Sequence, residues 1–293
     1  MKFISLILCF YITQGYAEPE KTSQSRLAMG FYYPSLRSTS RQTDIQVSLN
    51  YWVQELTSSL NLGSVNSLLY EDINKMSKAF SEGKLDLIVA PPLLLTIHFD
   101  RSLLSNGFIA VNERGKTDQL IIIANQDPKQ VFDGFNKKRL LLPQDNLLAE
   151  VFLDSEVIKR HQQPYQQVFS QITYGDKNQR MILDLFFDKA DIAVVYQSAL
   201  ETMFEMNPQL TKKIKKISMF PIKSRDYSFF HKQYFYQQTL KDKTETFRAS
   251  VRGKQILQVF HASDIDTCLV SDLDQFDDLY ATYRQLKKQL ADD

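Results

Sequence analysis

One stretch, residues 77–96 (SKAFSEGKLDLIVAPPLLLT), limits the fold of this chain more than any other. Met76, Ala79 and Phe80 fall at helical spacing. Glu82-Gly83-Lys84 stops that helix, because glycine accepts the left-handed conformation of a C-terminal cap. Residues 85–90 are an almost unbroken apolar run, the mark of a strand covered on both faces. Pro91-Pro92 closes it: neither can donate to a strand ladder, and proline suits the first turn of a following helix. The unit returns at residues 183–200 (LDLFFDKADIAVVYQSAL). There Lys189-Ala190-Asp191-Ile192-Ala193-Val194 aligns with Lys84-Leu85-Asp86-Leu87-Ile88-Val89, and Tyr196-Gln197-Ser198 opens the next helix. Two matching helix–strand–helix units predict two similar α/β lobes; chance recurrence of a common pattern is the alternative. In open α/β sheets the ligand lies beyond the carboxyl ends of the strands. Both strand ends, at Pro91-Pro92 and Tyr196-Gln197, are therefore expected to face one cleft.

The N-terminus carries an address. Lys2, an apolar run over 3–12 and a polar tail ending Gly15-Tyr16-Ala17 form the three parts of a secretory signal peptide, with cleavage expected after Ala17. The apolar run is too short for the ~20 residues that span a bilayer. The expected product is an exported, periplasmic protein. Cleavage would remove Lys2 and bring the 35 basic side chains level with the 34 acidic ones. A charge balance near zero argues against a nucleic-acid binder, whose footprint is a basic excess or stripe. Cleavage also removes Cys9, leaving Cys268 alone, so no disulfide forms within the chain and packing must hold the fold.

The rest of the chain reads as alternating elements. Residues 18–26 are a polar leader. Residues 27–33 form a strand closed by Pro34; 35–43 are a polar loop, and Asp44 caps a helix with Ile45, Leu49, Trp52, Val53 and Leu56 on one face. Strands over 64–70 and 85–90 flank a helix over 71–81, the βαβ pattern of a parallel sheet. Strands follow over 107–112, 119–125, 139–142, 167–173, 192–195, 217–220 and 227–230. Helices begin at Leu147 and after Gly175-Asp176, and two more, the first over 241–260, finish the chain. Lobe one is expected to comprise 27–115 with 226–293, and lobe two 116–225. Hinges fall near 113–118 and 223–227.

Catalytic signatures are missing: there is no G-x-S-x-G elbow, no phosphate-binding P-loop and no H-E-x-x-H, and the four histidines are scattered. No enzyme, metal or cofactor is expected. A binding cleft remains. Helix N-termini carry unpaired N–H groups and roughly half a positive charge, which suits an anion or a polar head group. Such termini follow Pro91-Pro92, Asp145-Asn146, Gly175-Asp176 and Tyr196-Gln197. Tyr32, Tyr33 and Tyr196 stand at strand ends as candidate walls, and Arg37 and Arg41 could pair with an acidic ligand group.

In the order of its pieces the chain resembles the periplasmic phosphate/phosphonate-type substrate-binding proteins of ABC importers. The pieces are the strand and loop over 30–34, Glu82-Gly83-Lys84-Leu85-Asp86, residues 119–126 and 138–143, the cap at Asp145, Tyr174-Gly175-Asp176-Lys177, and Lys189-Ala190-Asp191-Ile192-Ala193-Val194. The resemblance implies the type II, transferrin-like fold: two similar α/β lobes with mixed, mainly parallel sheets, joined by a two-strand hinge around a ligand cleft. It implies a monomer that holds a small polar or anionic solute, a phosphonate-like one in the first place, and delivers it to a membrane ABC permease. A ligand sensor partnering a membrane signalling receptor is the alternative. Phosphonate-binding members carry a Ser/Thr-rich turn where this chain has Gln144-Asp145-Asn146-Leu147, and Lys177 stands where a histidine is frequent. A zwitterion or an amine-bearing solute therefore stays open. The expected site residues are Tyr32, Tyr33, Arg37, Pro91, Pro92, Asp145, Asn146, Gly175, Lys177, Tyr196 and Gln197.

Overall fold

The computed structural model describes residues 27–34, 53–54, 57–58, 64–112, 117–125, 136–259 and 262–292. The signal peptide and polar leader, Arg37, Arg41, the cap at Asp44 and most of its helix, and hinge residues 113–116 lie outside the described residues. In chain order, β1 (Leu27–Phe31), β2 (Val65–Leu69), α1 (Ile73–Ser81), β3 (Leu87–Ala90), α2 (Pro92–His98) and β4 (Leu104–Asn112) come first. Next are β5 (Asp118–Ala124), β6 (Arg139–Pro143), α3 (Leu147–His161), α4 (Tyr165–Val168), β7 (Gln171–Gly175), α5 (Asn178–Phe186), β8 (Ile192–Tyr196), α6 (Gln197–Met206), α7 (Leu210–Lys213) and β9 (Lys215–Ile222). The chain closes with β10 (Tyr227–His231), α8 (Gln237–Ala249), α9 (Val251–Val259), β11 (Ala262–Cys268) and α10 (Asp274–Asp292).

These strands make two separate sheets, one ordered β11-β4-β10-β3-β1-β2 and the other β7-β6-β8-β5-β9. Val89 belongs to the first and Val195 to the second. The pairing is mixed, but not mainly parallel. β1–β2, β1–β3, β6–β7 and β6–β8 are parallel, whereas β10 and β11 in one sheet and β5 and β9 in the other add antiparallel partners. The antiparallel share arises because the chain leaves the first sheet along β4 for β5 and returns from β9 along β10.

The repeated motif does the same physical work twice. In the first copy Gly83 adopts φ 68°, and Gly83 N and Lys84 N donate back to Phe80 O and Ala79 O, ending α1. In the second copy Asp188 adopts φ 58°, with Asp188 N and Lys189 N donating to Leu185 O and Asp184 O. The two aspartates then tie neighbouring strands. Asp86 N donates to Ala28 O while its Oδ2 accepts from Ala28 N at 2.8 Å. Asp191 N donates to Arg139 O while its Oδ2 accepts from Arg139 N, also at 2.8 Å. Each carboxylate thus satisfies an amide in the opening residues of the parallel strand beside it, the second of β1 and the first of β6, a group that would otherwise need water.

Three elements differ from the sequence reading. Residues 167–173 are not one strand: Pro164 and the Asp154 carboxylate, which accepts from Tyr165 N at 2.8 Å, start α4, and the strand begins only at Gln171. The helix expected over 241–260 is two, broken at Ser250, whose Oγ accepts from Gly253 N. A Cβ at Gly253 would lie 1.9 Å from Phe247 O, so only glycine fits that corner. The strand β11 was hidden by its polar residues, since it covers the outer edge of β4 and turns Asp266 to solvent.

Packing follows the sheets. Ile121 and Ile123 face α5 and α6 through Met181, Leu185 and Leu200, while Ile122 faces the opposite side with Val151 and Phe152. All three isoleucines are wholly buried, each contributing about 1.5–3 kcal/mol. Helix α10 leaves the first sheet and lies along α3 of the second, where Lys287 Nζ stands 3.6 Å from the buried Asp154 Oδ2. Its first turn is held by Arg101, which pairs with Asp274 and Asp277. Among the described residues no helix is long and apolar enough to cross a membrane.

Candidate functional site

A cleft of about 240 Å³ opens between the sheets, at the carboxyl ends of their parallel strands. The first sheet supplies Tyr33 and Pro34 after β1 and residues 91–94 after β3. The second supplies residues 143–148 after β6, Gly175, Asp176 and Asn178 after β7, and Tyr196 at the end of β8. Ile222, Ser224, Arg225 and Asp226, in the connector from β9 to β10, complete the wall.

Four helices, α2, α3, α5 and α6, begin at this cleft. Pro92 opens α2 without wasting an amide. At α3 the work is divided: Asp145 takes the left-handed conformation, φ 53°, and Asn146 alone caps, its Oδ1 accepting from Ala149 N at 3.0 Å. The other end of that side chain reaches across the wall, Asn146 Nδ2 donating to Tyr196 Oη at 2.8 Å. Tyr196 N in turn donates to Asn178 Oδ1 at 3.2 Å. At α6 the carboxylate of Asp118, itself almost fully buried, accepts from Ser198 N at 3.0 Å and from Ser198 Oγ at 2.7 Å.

The connector brings charge. The Arg225 guanidinium lies over the Tyr196 ring, 4.1 Å from its centroid, and its Nη2 is 3.7 Å from Asp118 Oδ2. Asp226 follows, half-buried. Burial pushes its carboxyl up to about 6, with Arg225 pulling the other way. Burial also raises the hydroxyl of Tyr33, and the charge of Asp226 adds to it. Tyr196 is raised by burial against the pull of Arg225.

Of the residues expected at a site, Tyr33, Pro91, Pro92, Asp145, Asn146, Gly175 and Tyr196 line the cleft together. Tyr32 does not: it is buried in the core, its N donating to Val89 O. Lys177 sits at the start of α5, exposed and outside the lining. Gln197 turns away and donates from Nε2 to Glu201 Oε1 at 2.6 Å. Arg37 is outside the described residues. Sequence reasoning missed Gln144, Asn178, Ser224, Arg225 and Asp226. The signal for the last three was their position in the second hinge; only the placement of two sheets shows that this hinge floors a cleft.

Neither a protein-family model nor a curated protein sequence matches the chain. Solved structures do. A binding protein component of an ABC phosphonate transporter from Pseudomonas aeruginosa superposes with a TM-score of 0.62 at 13% identity, over 91% of this chain and 89% of that one. The fold is that of the type II periplasmic binding proteins. PhnD1 from Prochlorococcus marinus, solved in complex with methylphosphonate, is similar to this type II fold at TM-score 0.58 and 14% identity, over 90% and 99% of the two chains. A Xanthomonas citri protein solved with bound chloride gives 0.61 and 11%, over 90% and 99%.

Proposed function

We propose that this chain is an exported solute-binding protein that takes a small polar or anionic ligand, phosphonate-like in its charged oxygens, into the cleft between its lobes and hands it to a membrane ABC permease. Lobe one comprises 27–115 with 226–293 and lobe two 116–225, and the mature protein works as a periplasmic monomer after cleavage behind Ala17. The observation that carries this reading is the composition of the cleft wall, which takes residues from both sheets and from the β9–β10 connector. A pocket divided in this way closes around its occupant when the two halves turn about their connectors. Asn146 and Tyr196 fix one another across the wall, and among the described residues of the wall none is arranged as nucleophile and base. The reading is therefore capture and release without chemistry on the ligand. Native mass spectrometry of the purified protein should show a bound small molecule, and a broad solute panel should contain a compound that raises the melting temperature. A protein with no bound mass and no shift across the panel would overturn the proposal.

A further inference from the structure

Arg225 is the only cation among the described residues that line the cleft, and it is held from two sides. Its guanidinium carbon lies over the Tyr196 ring, and its Nη2 points back toward Ser198 Oγ, at 3.4 Å, and Asp118 Oδ2. Asp118 cannot swing away, because its Oδ1 accepts from Gln119 N and Ser198 N and its Oδ2 from Ser198 Oγ. A guanidinium carries five N–H donors. With Nη2 engaged and the ring of Tyr196 beneath, Nε and Nη1 have no hydrogen-bond partner among the described residues, although half of the side chain is exposed. The anchors also span the hinge: Asp118 starts β5, behind the outgoing connector, and Arg225 lies in the returning one. At α3 and α6 the first-turn amides of Ala149 and Ser198 are already bonded to Asn146 and Asp118. The unengaged N–H groups of Arg225 are thus more available to an oxyanion than either of those amides.

We propose that Arg225 is the specificity-determining residue of the cleft, holding the ligand's anionic oxygens through the N–H groups of Nε and Nη1, and that Asp118 is the positioning residue that aims it. This rests on the reading of the chain as a solute-binding protein. A guanidinium N–H suits carboxylate, sulfonate and phosphonate oxygens alike, because each is a charged acceptor of a charge-assisted hydrogen bond. Asp226, next along the connector, faces the same space and sets an upper limit on the negative charge the cleft accepts.

The test is calorimetric titration and thermal shift on the full mature chain with methylphosphonate, methanesulfonate, inorganic phosphate and acetate. At least one should bind. Arg225→Gln should weaken that probe tenfold or more while leaving the ligand-free melting temperature within a degree or two, and Arg225→Lys should recover only a minor part. Asp118→Asn should weaken the same probe, and the double variant should bind no worse than Arg225→Gln alone, because a positioning residue has nothing left to aim. A purely structural Asp118 would add its own loss. Unchanged affinity in Arg225→Gln, or additive losses in the pair, would overturn the assignment. So would a wild-type protein that binds only neutral or cationic solutes, an outcome that leaves the solute-binding reading standing. A protein that binds no solute at all removes both. If Asp118→Asn does not fold, Arg225→Gln and Arg225→Lys alone decide whether Arg225 holds the oxyanion.

Discussion

Asp226 shows at the scale of one residue how the cleft trades stability for function. Its carboxyl is pushed up to about 6 by burial, from 3.8 in an exposed chain. A raised acid stabilises the folded state where both forms hold the proton, below the unfolded value, and that contribution is lost as pH rises through about 6. At pH 7.5 the ionised Asp226 therefore costs about 1–3 kcal/mol. Asp226→Asn should raise the ligand-free melting temperature at pH 7.5 by a few degrees, and the gain should vanish below pH 4; an equal gain at both pH values would refute the linkage. Arg225, Tyr33 and Tyr196 face the same carboxyl, so an oxyanion bound beside it should favour its protonated form and bind more tightly as pH falls toward 6. Tyr196 carries a second expectation. Tyr196→Ala removes both the platform under Arg225 and the acceptor of Asn146, and should weaken ligand retention by tenfold or more, whereas Tyr196→Phe, which keeps the platform, should lose less.

The twin aspartates decide the argument at the scale of elements. Asp86→Ala and Asp191→Ala should each destabilise by about 1–3 kcal/mol in urea titrations, because each leaves an amide near the start of the neighbouring strand without its acceptor. Asp191→Ala should also release the Arg139 guanidinium. A neutral result at either position would reduce the repeat to coincidence. Gly107 is a different constraint. A Cβ there would lie 2.1 Å from Ser228 O, so Gly107→Ala should part β4 from β10 and lower stability by more than about 2 kcal/mol. The parts legible in the sequence were those whose physics is local: the apolar strands, the left-handed stop at Gly83, the proline after β3. Asp188 shows the limit, doing the work of a glycine that no rule of composition would assign to it. β11 was illegible because an edge strand with one wet face carries little apolar pattern, and α4 because its start depends on Asp154, eleven residues earlier in α3. Within the cleft, strand-end residues could be read from topology. Arg225 and Asp226 could not, since a hinge acquires chemistry only once two sheets are set on either side of it.

The whole molecule is joined by more than its two connectors. Helix α10 is rooted by Arg101 in the half that contains β4 and rests on α3 of the other half. There Asp154 is buried, with Lys287 and Tyr283 beside it. Lys287→Ala leaves that carboxylate without its cation. Because the lysine is itself part-exposed, the expected loss is about 1–2 kcal/mol rather than the full penalty of a sealed pair, measurable by thermal unfolding. The same variant should loosen the grip of α10 on α3 and so widen the spread of lobe separations, readable as a larger radius of gyration in solution scattering. At the root of this helix Phe276 is wholly buried, its ring 5.6 Å from Phe220 of β9 and 5.7 Å from Tyr227 of β10. Those two rings stand on opposite sides of the returning connector, so any swing of one half against the other must roll them across Phe276. On the proposed closure these three aromatic faces act as a greased bearing that limits the arc, and trimming the middle one to leucine should leave a door that still opens but no longer knows where to stop.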